Sequence, residues 1–182
     1  MLKKIKDFMK ALLGVLLWLL MLSAIPGCIN FNLKSNSVYY AQHTPHEKGT
    51  EPVLMMLIDN LADIYTPDDL KTIGYDFDGK PAILTYDKNG EQLGFLTPLD
   101  SDSSGGYMVE TQVLEFDFDK QFRLLNVCDP NDGFKELDLN KFSEQDIKKD
   151  IYKSVQPLID AQSKPWINLQ WLFDIVYHDR FN

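Results

Sequence analysis

Residues 70–97 read LKTIGYDFDGKPAILTYDKNGEQLGFLT, and this stretch decides the fold. Apolar side chains return at every second position in Ile73, Tyr75 and Phe77 and again in Leu93 and Phe95, the repeat of a strand whose successive side chains face opposite ways. Asp78-Gly79 and Asn89-Gly90 punctuate the run, and these dipeptides favour the tight turns that join antiparallel strands. The same period continues to Cys128, which predicts a meander with strands near 71–77, 80–87, 91–97, 107–118 and 121–128. Three stretches in it resemble one another, starting at Tyr75, Tyr86 and Phe116, each an aromatic strand, a turn former and an apolar return. Their uneven spacing reads as one hairpin solution used again, not as a solenoid. The segment 100–106, Asp-Ser-Asp-Ser-Ser-Gly-Gly, reads as the loop between the third and fourth strands.

On either side the period lengthens. Thr50, Glu51 and Pro52 form a helix entry, and Val53, Leu54, Leu57, Ile58, Leu61 and Ile64 recur at helical steps, giving an amphipathic helix over about 51–65. Ser143 with Asp146 resembles a capping pair, and Ile147, Ile151 and Val155 continue on one face, giving a second helix over 144–156 that Pro157 ends or kinks. From Ile167 to Tyr177 apolar residues alternate again, which predicts a long final strand. The expected class is α+β: an antiparallel sheet of about five or six strands against two amphipathic helices. Burial is expected for Leu57, Leu61, Ile83, Leu84, Phe95, Val113, Leu124, Ile151, Trp171 and Phe173.

The chain has 182 residues, enough for one domain, and a hydrophobic fraction of 45% that supplies a core. Its first 27 residues hold Lys3, Lys4, Lys6 and Lys10 against Asp7 alone, so the remainder carries 14 basic and 26 acidic groups and stands at −12. A field of that sign repels phosphate backbones and anionic headgroups, which excludes nucleic acid as a partner and favours a basic protein.

The cationic start, an uncharged run from Ala11 to Leu22, and Ser23-Ala24-Ile25-Pro26-Gly27 before Cys28 have the layout of a secretory signal. Ala11 to Ile25 falls short of the ~20 apolar residues of a comfortable span, which favours cleavage. Cys28 after Gly27 resembles a bacterial lipobox, in which the thiol is acylated and becomes the first mature residue; Pro26 fits that pattern poorly. An uncleaved anchor and free secretion are the alternatives, and all three export the domain. Residues 1–27 are thus a signal or anchor, 28–49 a polar tether and 50–182 a single exported domain. Cys128, among apolar neighbours, reads as a buried strand thiol, with a Cys28 to Cys128 disulfide as the competing possibility.

Candidate chemistry is sparse. Asp100, Asp102, Ser104 and Gly105 match the first half of a calcium loop, but Thr111 stands where the bidentate glutamate belongs. His43, His46 and Glu47 have metal-like spacing, yet Pro45 denies them a helix and a further ligand must come from His178. No nucleophile elbow, phosphate loop or dinucleotide pattern occurs, so neither enzyme activity nor a metal or other cofactor is expected. Asp76 with Asp78, and Asp117 with Asp119, are same-face carboxylate pairs on strands and are the candidate partner-binding residues.

The N-terminal hydrophobic segment, the small acidic exported domain, Asn36 to Tyr40 leading into a helix, and the ending from Leu169-Gln170-Trp171-Leu172-Phe173 to Arg180-Phe181 together resemble the TipC family of Gram-positive immunity proteins. The resemblance implies a protein anchored outside the cell membrane that binds and neutralises a secreted antibacterial toxin directed at cell-wall precursor metabolism. It transfers no toxin-contacting residue, and the lipobox-like Cys28 departs from a simple anchor. A cell-envelope lipoprotein with a structural or ligand-binding role is the alternative, and a secreted hydrolase a third.

Overall fold

The computed structural model of the chain describes residues 2–68, 70, 73–75, 81–86, 92–99 and 105–182. Among these residues, seven antiparallel strands lie in sequence order in one sheet: β1 (Ile73–Tyr75), β2 (Pro81–Tyr86), β3 (Gln92–Leu99), β4 (Gly106–Thr111), β5 (Glu115–Phe118), β6 (Leu124–Asp129) and the two-residue β7 (Lys135–Glu136). Six helices accompany them: α1 (Leu2–Ser35), α2 (Ser37–Ala41), α3 (Pro52–Asp59), α4 (Glu144–Asp160), α5 (Gln170–Val176) and α6 (His178–Phe181). This is the expected α+β meander, with Ile83, Leu96, Tyr107, Val109 and Phe118 of the sheet sharing one core with helical side chains.

The helices near 52 and 144 form for the reasons read in the sequence. Pro52 occupies the first turn of α3, where its missing N–H costs nothing. Leu54 to Ile58 are all buried, so α3 is enclosed on every side, and the chain turns at Asn60, where Asp63 and Ile64 donate to its carbonyl. Leu61 and Ile64 remain in the core from that turn. Ser143 caps α4 by accepting from the Asp146 amide at 3.3 Å. Pro157 does not end α4; Leu158 and Ile159 follow it into the core, and burying two such side chains, at ~1.5–3 kcal/mol each, offsets the ~3 kcal/mol of an interior proline.

Four expectations are corrected. The strand expected over 107–118 is two strands, because Thr111 closes a turn on Leu114, donating its amide to the Leu114 carbonyl at 2.8 Å and accepting the Leu114 amide on Oγ1 at 2.9 Å. Val113, expected inside, stands at the tip of that turn, 65% exposed. The final strand is the helices α5 and α6. A series with period two contains one with period four: Leu169, Phe173, Tyr177 and Phe181 step along one helical face, with Phe173 and Phe181 fully buried. The other half of the alternation, Ile167, Trp171 and Ile175, points outward, so Trp171 is exposed and not buried. Of the remaining residues expected inside, Leu57, Leu61, Ile83 and Ile151 are buried, Leu84 and Leu124 are partly so, and the Phe95 side chain is outside the description.

The polar tether expected over 28–49 is also overturned. α1 continues through Pro26 to Ser35, and Leu33, Val38, Tyr40 and Ala41 are buried in the domain core. Polar residues here serve the packing: Tyr40 Oη donates to Asn32 Oδ1 at 2.7 Å and accepts from the Leu169 amide at 3.1 Å, while the two N–H groups of Gln170 Nε2 are shared among the Tyr40 carbonyl, Thr44 Oγ1 and Asp174 Oδ1. Met9–Ser35 is a helix long and apolar enough to cross a membrane, a property that signal sequences share.

Candidate functional site

The face of the sheet turned away from the core carries a group of four carboxylates. Directly opposed residues share a face, and the register sets Glu110 opposite Glu115, Glu115 opposite Cys128, Asp117 opposite both Met108 and Asn126, and Cys128 opposite Glu136. Four carboxylates thus surround one thiol on β4 to β7. Among the described residues none of the four enters an ion pair; the cations available pair elsewhere, Arg123 with Glu47 at 2.8 Å, Lys135 with Asp132 at 3.2 Å and Lys148 with Glu144 at 2.7 Å.

The cluster is electrostatically uncomfortable. Burial raises the Glu110 carboxyl above the ordinary range, and burial together with the charges of Asp117 and Glu110 raises Glu115. Burial raises Asp117 as well, opposed by the Asn126 side chain, and its Oδ1 is shut off from solvent without a hydrogen-bond donor. The Cys128 thiol is pushed up by burial and then by Asp117, Glu115 and Glu136, so the sulfur stays neutral and accepts from Asn126 Nδ2 at 3.2 Å. One ligand atom each from Glu115, Asp117 and Cys128 lie within 4.8 Å of one another. Such a set can receive a cation or a partner's lysine or arginine.

The expected residues are distributed unevenly over this face. Asp117 is at its centre. Asp119 is not part of it: it lies beyond β5, where its Oδ1 accepts from the Gln121 and Arg123 amides, both at 2.8 Å. That turn lets Phe122 adopt a φ of 66° and stack on Phe118 at 4.5 Å, so one oxygen of Asp119 builds the fold. Asp76 and Asp78 lie outside the described residues, as do Asp100, Asp102 and Ser104 of the calcium-like loop. Glu110, Glu115 and Glu136 were missed by pairing aspartates along one strand; the usable signal was across strands, and it needed the turn at Thr111 to be placed.

The other candidates are committed to structure. His43 Nδ1 lies 2.8 Å from the Tyr39 carbonyl, His46 Nδ1 3.0 Å from that of Thr44, and Glu47 pairs with Arg123. Both cysteines are free, Cys28 exposed on α1 and Cys128 buried on β6, so they form no disulfide. Arg180 of α6 bridges Asp59 and the Tyr107 hydroxyl, fastening the C-terminus to α3 and β4. Lys148 is buried between Glu51, Glu144 and the Gly49 carbonyl, with all its donors directed at acceptors. A cleft of about 180 Å³ between α4 and the sheet is lined by Val109, Thr111, Phe116, Ile147, Asp150, Ile151 and Ser154, with Asp150 the one titratable wall among the described residues. No family model, curated protein or solved structure matches the chain.

Proposed function

We propose that the chain is a membrane-anchored extracytoplasmic immunity protein that binds and neutralises a secreted antibacterial toxin, without catalysis, through the acidic outer face of its sheet. The observation that carries the reading is the group of four carboxylates on β4 to β7, none of them in an ion pair among the described residues. A lysine or arginine from a basic protein would relieve the repulsion among these carboxylates through charge-assisted hydrogen bonds. The −12 charge beyond residue 27 would draw such a partner in from a distance. Anchoring rests on α1, whose uncharged run from Ala11 to Leu33 follows four lysines, the asymmetry that leaves the N-terminus in the cytoplasm and the domain outside. The TipC-like organisation of the sequence supports the same reading.

Survival provides the test. Toxin-sensitive cells producing the full chain are exposed to culture fluid that contains the toxin, beside cells producing Glu110→Gln, Glu115→Gln and Asp117→Asn together. The chain should protect and the triple variant should not; equal killing with and without the chain would refute the immunity reading.

A further inference from the structure

We propose that the loop Lys164-Pro165-Trp166-Ile167 is a second membrane contact, seated in the interfacial layer of the bilayer beside the point where α1 leaves it. The inference rests on the reading of α1 as a retained membrane anchor. Trp166 is 98% exposed and Ile167 55%, although the loop is held firmly: Pro165 is buried, the Ile167 carbonyl accepts from Asn32 Nδ2 at 3.2 Å, and the Leu169 amide donates to Tyr40 Oη at 3.1 Å. Together with exposed Phe31 and Ile25 on α1, the two side chains make an apolar patch of the kind that marks an interaction or membrane site.

The position of the loop along α1 names the cover. Trp166 and Ile167 share a groove with Gly27, Cys28 and Phe31, and Ile167 shares another with Met21, Ala24 and Ile25. A helix rises about 1.5 Å per residue, so a ~30 Å hydrocarbon layer entered at Ala11 is left after about 20 residues, near Asn30 and Phe31. Ile29 and Leu33 already pack in the domain, so the base of the domain meets the bilayer surface where the loop projects. Tryptophan concentrates at that depth, with an apolar ring in the acyl boundary and its N–H among headgroups, and exposed Lys164 can extend its ammonium to the water side. The contact would fix how the domain is tilted on the membrane, and so which way the acidic sheet face looks.

The chain's three tryptophans make the test direct. Full-length protein with Trp18 and Trp171 replaced by phenylalanine reports on Trp166 alone, and a companion retaining only Trp18 reports on the span. Both are reconstituted into phosphatidylcholine vesicles carrying nitroxide at either the headgroup or the acyl-chain centre. Trp166 should emit at shorter wavelength than in detergent-free buffer with the loop exposed, lose most of its emission to the headgroup nitroxide and resist aqueous iodide; Trp18 should be quenched from the chain centre. Trp18 quenched in the bilayer with Trp166 open to iodide would overturn the loop contact and leave the anchor standing. Trp18 quenched by neither lipid would overturn the anchor and the loop contact with it.

Discussion

Replacing Asp117 by asparagine keeps the shape of the side chain and removes its charge from the carboxylate face. Glu115 and Asp117 offer oxygens within 4.8 Å of each other, and two unit charges at that separation repel by about 3.5 kcal/mol at an effective dielectric constant of ~20. Both side chains are only half-buried, so solvent screening brings the usable repulsion to about 1 kcal/mol. The variant should therefore be the more stable protein at pH 7 by about 1 kcal/mol, a rise in Tm of about 2–4 °C for a chain of this size. The pH dependence has a definite sign. Glu110, Glu115 and Asp117 have raised carboxyls in the folded state, so the folded chain holds more protons than the unfolded one just above the ordinary carboxylate range. The wild type loses stability as pH rises through that window, and the advantage of Asp117→Asn should shrink towards pH ~4, where the wild-type carboxyls take up protons. Thermal unfolding of both full-length proteins in non-ionic detergent, followed by circular dichroism at the two pH values, checks this. A variant that melts below the wild type at pH 7, or gains equally at both pH values, would refute the crowded-carboxylate reasoning.

Three further outcomes follow from named contacts. Asp119→Ala should cost about 1–2 kcal/mol in urea unfolding, because two backbone amides lose their acceptor, while leaving partner capture salt-sensitive as before. Gly94→Ala should cost upwards of about 3 kcal/mol by the same measurement, since a Cβ there would collide with the Glu110 carbonyl across the β3 and β4 pair, and backbone cannot move aside as a side chain can. Cys28→Ala should leave the protein in the membrane fraction if the retained α1 helix is the anchor, whereas release into the medium would assign anchoring to acylation of Cys28.

The meander was legible because turn dipeptides and a two-residue period act locally, and the capping pair at Ser143 and Asp146 is local as well. What escaped depended on distant partners or on patterns that fit two structures. Residues 167–181 satisfy both a two-residue and a four-residue repeat, and only packing of Phe173 on Tyr40, with centroids 5.2 Å apart, selects the helix. Asn32, Asn36 and Thr44 look like linker composition, yet their polar atoms bond within the fold: Asn32 and Thr44 reach the C-terminal segment, and Asn36 Nδ2 donates to the Asn32 carbonyl. The candidate face was half legible: acidic excess and Asp117 were visible in the sequence, but the convergence of Glu110, Glu115 and Glu136 on Cys128 follows from register across four strands. The turn-building bonds of Asp119 were hidden for the same reason, since a carboxylate that caps a turn and one that faces solvent look alike in sequence.

The most direct test of the central claim is capture of a basic protein by the full-length chain held in phosphatidylcholine vesicles. The vesicles are incubated with toxin-bearing culture fluid at 0.05 M and at 0.5 M salt, beside vesicles bearing Glu110→Gln, Glu115→Gln and Asp117→Asn together. The account predicts that the toxin is retained at low salt, is largely released at high salt as screening shortens to a few ångströms, and is not retained by the triple variant. Retention of the toxin that is indifferent to salt and to the three substitutions, or no retention by the wild type at either salt, would contradict it.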